Sequence, residues 1–335
     1  MKQFDLKNWN DEVFLAYSRA IADPVKTNLI EAGVFNYDAE LAQQFPAQTG
    51  GNYAIRPING RLSGDAIDLD GNTDIDDGDL NTYSQGIVAL HMGKSFTEKD
   101  FTFNLTGKDF MLQVAEQLAN YWAKQEQKKM LSILKGIFAS ALAGSVIEKT
   151  AVTSTDIIDV VRKVGGDNAN LFRVCFMHST IAGILEKEEK LTYAKYNDAN
   201  GLQRPSDIAY WNGRLVIVND LCPVTVGTGE QEGKYIYRTY FLGARAFGYA
   251  PLPELVPVEM SREAKKNGGQ TSLVSRDGLV LIPEGVSFKA NVLQSTAKVS
   301  DAVLETGSNW EVVNDGNGHS VPAKNIPFCA IDYVL

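Results

Sequence analysis

The stretch that decides the fold is residues 108–135, KDFMLQVAEQLANYWAKQEQKKMLSILK, which runs for 28 residues without glycine or proline. Each residue of a helix advances the axis by about 1.5 Å, so this stretch predicts a helix roughly 42 Å long. Thr106 can cap its beginning, with Asp109 three residues further on. We therefore expect one long helix to organise the chain.

The apolar face of this helix is interrupted halfway along. Phe110, Val114, Leu118 and Trp122 recur every four residues and predict a buried stripe. Residues 124–129 (KQEQKK) are polar on every side for more than a turn. Apolar residues then return at helical spacing: Met130, Ile133, Leu134, Ile137 and Phe138. A helix with this pattern is predicted to cross between two separately packed regions.

An extended segment is predicted before the helix. Residues 49–105 contain no long helical periodicity, whereas 52–57, 80–91 and 101–105 have the composition of strands. Between the first two strands, residues 63–79 contain seven aspartates and little apolar content, so they cannot form part of a core. We interpret them as the tip of a long hairpin that projects into solvent or across another subunit.

The rest of the chain is a mixture of short helices and strands. Near the N-terminus, two short amphipathic helices, one from Asp11 to about Ala22 and one through Leu29 and Ile30, must pack on the body or on a neighbour. After the long helix, helices are predicted at 155–165 and from a capping Ser179 to 185. Strands are predicted at 171–177, 215–218, 235–241, 279–282, 286–289, 310–313 and 328–334, with a turn, NDGNG, at 314–318.

Composition limits the function classes. The chain has 335 residues, with 44% hydrophobic and 22% charged residues, and is long enough to hold two domains. Its net charge of −9 argues against non-specific nucleic-acid binding, which depends on positive charge. If the protein encloses nucleic acid, it does so as a wall. No apolar run approaches the roughly 18 residues of a membrane span, and the N-terminus lacks the apolar region of a signal peptide.

The candidate catalytic groups do not form a recognisable motif. Cys175, Cys222 and Cys329 are odd in number and lie among apolar neighbours, which indicates buried reduced thiols in a cytosolic protein. His178 and Ser179 are adjacent, and adjacent residues cannot make the contact between nucleophile and base. We interpret them as a strand end followed by a helix cap.

Two further motifs resemble binding loops only in part. The aspartate run at 68–78 suggests a calcium loop, but from Asn72 the sixth position is Asp77 and the twelfth is Tyr83, where the loop needs glycine and glutamate. A solvated acidic loop is therefore favoured, with a weak divalent-ion site left open. The glycines of residues 227–234 have the wrong spacing for a phosphate loop and indicate a hairpin turn. We predict no catalytic, cofactor-binding or metal-binding residues.

Several local strings, in order, resemble the major capsid (coat) proteins of tailed bacteriophages, which have the Hong Kong 97-type fold. These strings are YWA at 121–123, KGIFA at 135–139, FMHS at 176–179, NGRLVIVND at 212–220 followed by Pro223, YFLGARAFG at 240–248, VEMSREA at 258–264, PEGV at 283–286, ETGSNW at 305–310 and KNIP at 324–327. The resemblance covers most of the chain.

The resemblance implies an α+β fold with a defined subdivision. It comprises an N-terminal arm (1–48), an extended E-loop hairpin (49–106), the spine helix of the P-domain (107–144), an A-domain (145–250), P-domain return strands (251–290) and a C-terminal segment packing on the A- and P-domains (291–335).

The resemblance also implies a structural function without catalysis. Hexamers and pentamers of the chain would tile an icosahedral shell around double-stranded DNA, without sequence-specific DNA binding, cofactor or membrane. The protein would be part of the virion capsid and assemble in the bacterial host cytoplasm. Its partners would be itself, a portal protein and, as an optional addition, a decoration protein. No coiled scaffolding segment precedes the arm, which implies a separate scaffolding protein.

The chain departs from some members of this family in one feature, and two alternative functions are left open. Some relatives crosslink a hairpin lysine to a neighbour's asparagine, and residues 65–79 contain no lysine, so no such crosslink is expected. An encapsulin-type nanocompartment shares the fold, but the N-terminal arm and the extension after about Asn291 favour a phage coat. A soluble hydrolase would require His178 or another histidine to meet an aspartate and a serine in space.

Overall fold

The computed structural model describes residues 33–39, 41, 52–62, 66, 68, 80–101, 110–197, 203–295, 298–315 and 319–335. The N-terminal helices, the Thr106 cap and most of the acidic hairpin tip lie outside these residues. The helices with described bounds are α1 (Phe110–Ala139), α2 (Asp156–Gly165), α3 (Ser179–Lys187), α4 (Ala290–Ser295) and α5 (Asp301–Glu305). The strands are β1 (Phe35–Tyr37), β2 (Tyr53–Leu62), β3 (Leu80–Lys99), β4 (Val146–Lys149), β5 (Phe172–Met177), β6 (Leu191–Asn197), β7 (Gln203–Trp211), β8 (Arg214–Val218), β9 (Val224–Val226), β10 (Tyr235–Gly243), β11 (Phe247–Leu252), β12 (Val258–Glu263), β13 (Gln270–Pro283), β14 (Val286–Phe288), β15 (Trp310–Val312) and β16 (Phe328–Val334).

The first sheet has six strands in the order β1-β11-β13-β3-β2, with β12 beside β13. The 20 residues of β3 divide between two partners: the first half pairs antiparallel with β2 and the second half with β13. The predicted hairpin is thereby confirmed in its two strands.

The predicted strand at 101–105 is wrong at its start, because β3 ends at Lys99 and residues 100–101 are helical. The Arg262 guanidinium holds Asp100 there, with Nη1 3.0 Å from Oδ1.

The second sheet has eight strands in the order β4-β16-β10-β5-β8-β7-β6, with β9 beside β10. The C-terminal strand β16 lies between β4, to which it is parallel, and β10, to which it is antiparallel. The residues on either side of the predicted turn at 314–318 confirm a chain reversal there, because Asn314 and Ser320 form an isolated antiparallel β-bridge. The strands on either side of it do not pair with each other, since β15 pairs with β14.

Helix α1 joins two apolar clusters, as its interrupted stripe predicts. Near its beginning, Val114 and Leu118 are buried with Leu273 of β13 in a small cluster. Further along, residues 130–138 enter the main core, which also takes side chains from both large sheets. The polar stretch 124–129 spans the interval between the two clusters and is partly exposed. The helix therefore continues through both regions as one element of 30 residues, about 45 Å long.

Gly136 lies inside α1 because another segment approaches the helix closely. A Cβ at this position would meet the carbonyl oxygen of Leu304 and would lie 2.6 Å from Nε1 of Trp310. That indole donates a hydrogen bond of 2.7 Å to the same Leu304 oxygen. The glycine lets α5 and the following turn pack directly on the helix backbone.

The first prediction concerns the buried stripe of α1. The substitution Val114→Asp places a carboxylate among apolar side chains, because Val114 is only 8% exposed. We expect a loss of about 3–5 kcal/mol in the free energy of unfolding, measured by urea denaturation. Asn120→Asp, on the exposed side of the same helix, is the matched control and should change stability little. Equal effects of the two substitutions would contradict the burial of the stripe.

A second prediction uses two helical glycines. Gly136→Ala should destabilise the protein by about 1–3 kcal/mol, because the clash exceeds the gain in helix propensity of about 1 kcal/mol. A Cβ added to Gly183 in α3 would have no other atom within 4 Å, so Gly183→Ala should stabilise the protein. Thermal unfolding of both variants checks the pair. A stabilising Gly136→Ala would show that α5 does not contact α1 closely.

Candidate functional site

His178, Ser179 and Asp220 lie together where the parallel strands β5 and β8 end and α3 begins. Nε2 of His178 is 3.8 Å from Oδ1 of Asp220. The same carboxylate oxygen accepts a hydrogen bond of 3.3 Å from the Ser179 backbone N–H. The fold thus brings together the three residue types that the hydrolase hypothesis requires, which sequence spacing could not establish.

The hydrogen bonds of this cluster serve the helix rather than catalysis. Nδ1 of His178 accepts a hydrogen bond of 3.1 Å from the Thr180 backbone N–H, so His178 is the N-cap of α3. The prediction that Ser179 is the cap is wrong, because the imidazole nitrogen takes the place of a capping oxygen. The Ser179 hydroxyl donates to Asp220 and, with the backbone N–H, holds the pKa of that carboxyl below its usual range. The Asp220 carboxylate is therefore engaged with the first residue of α3.

The glycines of residues 227–234 form a hairpin turn, as predicted. Val226 of β9 pairs with Tyr235 of β10, and the Gly227 N–H donates a hydrogen bond of 2.9 Å to the Lys234 carbonyl. Gly229 has φ 66° and belongs to a short 3-10 turn inside this loop. The backbone conformation accounts for the glycine content without a bound phosphate.

The cysteines are buried free thiols, which confirms their predicted environment. Burial raises the pKa of the Cys222 thiol to about 12 and raises the pKa values of Cys175 and Cys329 well above the usual value. A thiolate nucleophile is therefore disfavoured at all three positions. Among the described residues, no three His, Cys, Asp or Glu side chains are grouped so that they could hold a metal ion. Most of the acidic run at 68–78 lies outside those residues.

A cleft of about 380 Å³ lies between α1, β3 and the beginning of α5. Several of its polar side chains take part in ion pairs or hydrogen bonds. His91 Nδ1 is 2.7 Å from Glu254 Oε1, and Lys129 Nζ is 2.6 Å from Asp301 Oδ1. Ser300 caps α5 by accepting a hydrogen bond of 3.4 Å from Val303 N–H. The cleft therefore presents ion pairs and a helix cap, and not an activated nucleophile.

Exposed apolar side chains are concentrated at two places on the surface. The first, which we call the sheet-end patch, lies around the ends of β8, β9 and β10. Its members are Val218, Leu221, Val224, Val226 and Tyr235. The second is the loop 253–257 between β11 and β12, in which Leu255 is 99% exposed. Concentrated exposed apolar groups mark interaction surfaces, so these two places are candidate contact surfaces.

Comparison with known proteins agrees with this description. No protein-family model matches the chain. The curated major capsid protein of Bacillus phage SPP1 is 29% identical over 291 residues, which cover 85% of this chain and 86% of that protein. The capsid of Ralstonia phage GP4 matches with a TM-score of 0.60 and 12% identity, over 91% of this chain and 88% of the other. The cyanophage Pam1 capsid matches with a TM-score of 0.55 and 10% identity, over 100% and 94% of the two chains.

The mixed helix and strand fold of this chain matches that of solved phage capsids. Together with the curated relative, this match makes the chain similar in sequence and fold to the major capsid proteins of tailed bacteriophages. The resemblance noted in the sequence is thereby confirmed. In the described part of the chain, we found no helix with both the length and the apolar character needed to cross a bilayer.

A third prediction tests the capping role of Asp220. A lowered pKa in the folded state means that the ionised carboxylate stabilises the protein above the usual aspartate value of 3.8, and that this contribution is lost as the pH falls through the folded-state pKa. Wild type should therefore be more stable than Asp220→Asn at pH 7, and the difference should narrow below about pH 4. Urea denaturation at both pH values checks this. A difference independent of pH would contradict the capping interaction.

Proposed function

We propose that this protein assembles as hexamers and pentamers into an icosahedral shell that encloses double-stranded DNA. The observation that carries the proposal is the agreement in fold with phage capsids over about nine-tenths of the chain or more, together with a curated capsid relative of similar extent. The protein acts as a wall for the genome without reading its sequence. It becomes part of the virion after assembly in the cytoplasm of a bacterial host.

We further propose the Hong Kong 97-type subdivision for this chain. The hairpin of β2 and β3 corresponds to the E-loop, α1 to the spine helix of the P-domain, and the eight-stranded sheet to the A-domain. Strand β11 begins at Phe247 and joins the six-stranded sheet. The proposed boundary between the A-domain (145–250) and the P-domain return (251–290) therefore falls within β11. The C-terminal segment supplies β16 to the proposed A-domain sheet.

The base of the proposed E-loop is fixed firmly within the subunit. Gln85 is fully buried, and its Nε2 donates hydrogen bonds of 2.9 Å to the carbonyls of Pro283 and Val286. The Tyr53 hydroxyl donates a hydrogen bond of 3.2 Å to the carbonyl of Phe288. Among the described strands, β2 pairs with β3 alone, and Ile55 is exposed. A hairpin anchored at one end in this way is suited to reach a neighbouring subunit.

The charge of the chain fits a wall around DNA. The net charge of −9 disfavours non-specific adhesion of the inner surface to phosphate groups. A shell also needs many modest contacts rather than one strong interface, because each contact is repeated around a closed lattice. The exposed apolar groups at the sheet-end patch and at residues 253–257 supply such contacts. A separate scaffolding protein, a portal protein and, optionally, a decoration protein complete the proposed set of partners.

Negative-stain electron microscopy of the purified chain, alone and co-expressed with its neighbouring genes, tests the proposal. We expect closed polyhedral shells, or rings and tubes of capsomers, with a partner protein setting a uniform shell size. A uniform monomer or dimer under every condition would contradict the proposed function.

A fourth prediction concerns the hairpin tip. Deletion of residues 64–78 should leave a folded subunit, because β2 ends at Leu62 and β3 begins at Leu80, but the subunit should assemble poorly. Sedimentation velocity measures assembly, and the urea midpoint measures folding. A full-length variant with the tip aspartates replaced by serine separates the effect of length from that of charge. Normal shells from the deletion variant would contradict the assignment of the hairpin.

A further inference from the structure

The loop 253–257, Pro-Glu-Leu-Val-Pro, presents an apolar side chain to solvent in a fixed position. Leu255 is 99% exposed, and its neighbour Val256 is 39% exposed. The loop connects β11 and β12, and both of these strands pair with the same side of β13. It therefore projects sideways from the six-stranded sheet, where an adjacent molecule can reach it.

The side chains of Arg276 and His91 and one backbone hydrogen bond hold this loop in place. Arg276 donates from Nη1 to the Val256 carbonyl at 2.8 Å, and its backbone N–H donates to the Pro257 carbonyl at 2.8 Å. Nη2 of Arg276 also reaches Glu259 at 3.1 Å. On the other side of the loop, Glu254 pairs with His91 at 2.7 Å. The prolines at both ends of the loop restrict the backbone further.

A rigid exposed leucine has no role in the stability of one subunit. Exposed apolar side chains in a mobile loop would lose conformational entropy on binding, but this loop is already ordered by Arg276, His91 and the prolines. Binding then gains from burying Leu255 with little further cost of ordering. These are the features of a preorganised contact residue.

We infer that the loop 253–257 is a knob that inserts Leu255 into the surface of a neighbouring copy of this chain. The inference rests on the proposed shell function and names one of the contacts that build the shell. The contact is heterologous: the knob of one copy meets a different surface of the next, and repetition of such contacts closes rings or lattices.

A second copy fits the knob better than another class of partner. A curated relative of this chain is a major capsid protein, and solved structures that share its fold are phage capsids. A single leucine with one flanking valine offers too little apolar surface for a stable isolated complex. The same contact becomes effective when every subunit of a closed lattice repeats it.

Assembly of Leu255 variants tests the inference. Leu255→Asp should fold with an unchanged urea midpoint, because the side chain is exposed, but should raise the protein concentration needed for shells by at least about tenfold. Leu255→Met is the matched control and should assemble as wild type does, because it keeps an apolar side chain of similar volume. Arg276→Gln, which releases the loop but retains Leu255, should have an intermediate effect.

Photo-crosslinking identifies the molecule that the knob contacts. A benzophenone amino acid in place of Leu255 should give covalent dimers of this chain in assembled particles and none in unassembled subunits. Crosslinks to a different protein, or none in the particles, would overturn the inference. So would wild-type yields of shells from Leu255→Asp. If the wild-type chain forms no shells, the proposed function fails as well. If wild type and Leu255→Asp both form shells normally, only the inference about Leu255 fails.

Discussion

Burial of the second half of α1 between the two large sheets is the interaction on which the rest of the structure depends. Its apolar face, from Met130 to Phe138, belongs to a core cluster that includes Leu279 of the six-stranded sheet and Tyr240 of the eight-stranded sheet. The rings of Phe138 and Tyr240 stack with centroids 5.4 Å apart. Neither sheet can bury its inner apolar face alone, and side chains of α1 pack against both of them.

Local pattern predicted much of this architecture because the relevant signals are local. The length and interrupted stripe of α1, the two strands of the hairpin, and most of the strands after residue 170 follow from periodicity and from glycine positions. Strand partners do not follow from them. β16 lies between β4 and β10, and its pairing with β4 joins residues that are far apart in sequence, for example Ala330 and Val146. Such pairing depends on which apolar faces meet in space, and the sequence pattern of one strand carries no information about that.

The candidate site shows a similar limit on what sequence can predict. Sequence spacing alone excluded a direct contact between His178 and Ser179 as a catalytic pair, but it could not foresee that Asp220 would join them. Once they are together, the direction of each hydrogen bond decides their role: His178 accepts from a backbone N–H, and Ser179 donates to the carboxylate. The same three residue types could support catalysis in another arrangement. Here they cap the beginning of α3.

In the proposed shell, folding and assembly use different parts of this chain. The cluster around α1 is completed within one subunit, and its larger side chains, such as Phe288 and Trp310, are almost fully buried. The surface groups that remain unburied, including Leu255 and the sheet-end patch, contribute little to the stability of the subunit. A net charge of −9 on each copy opposes association, so the individual contacts must be specific and must act together before a lattice forms. This separation allows a subunit to fold completely before it assembles, and it confines assembly to geometries in which many weak contacts close at once.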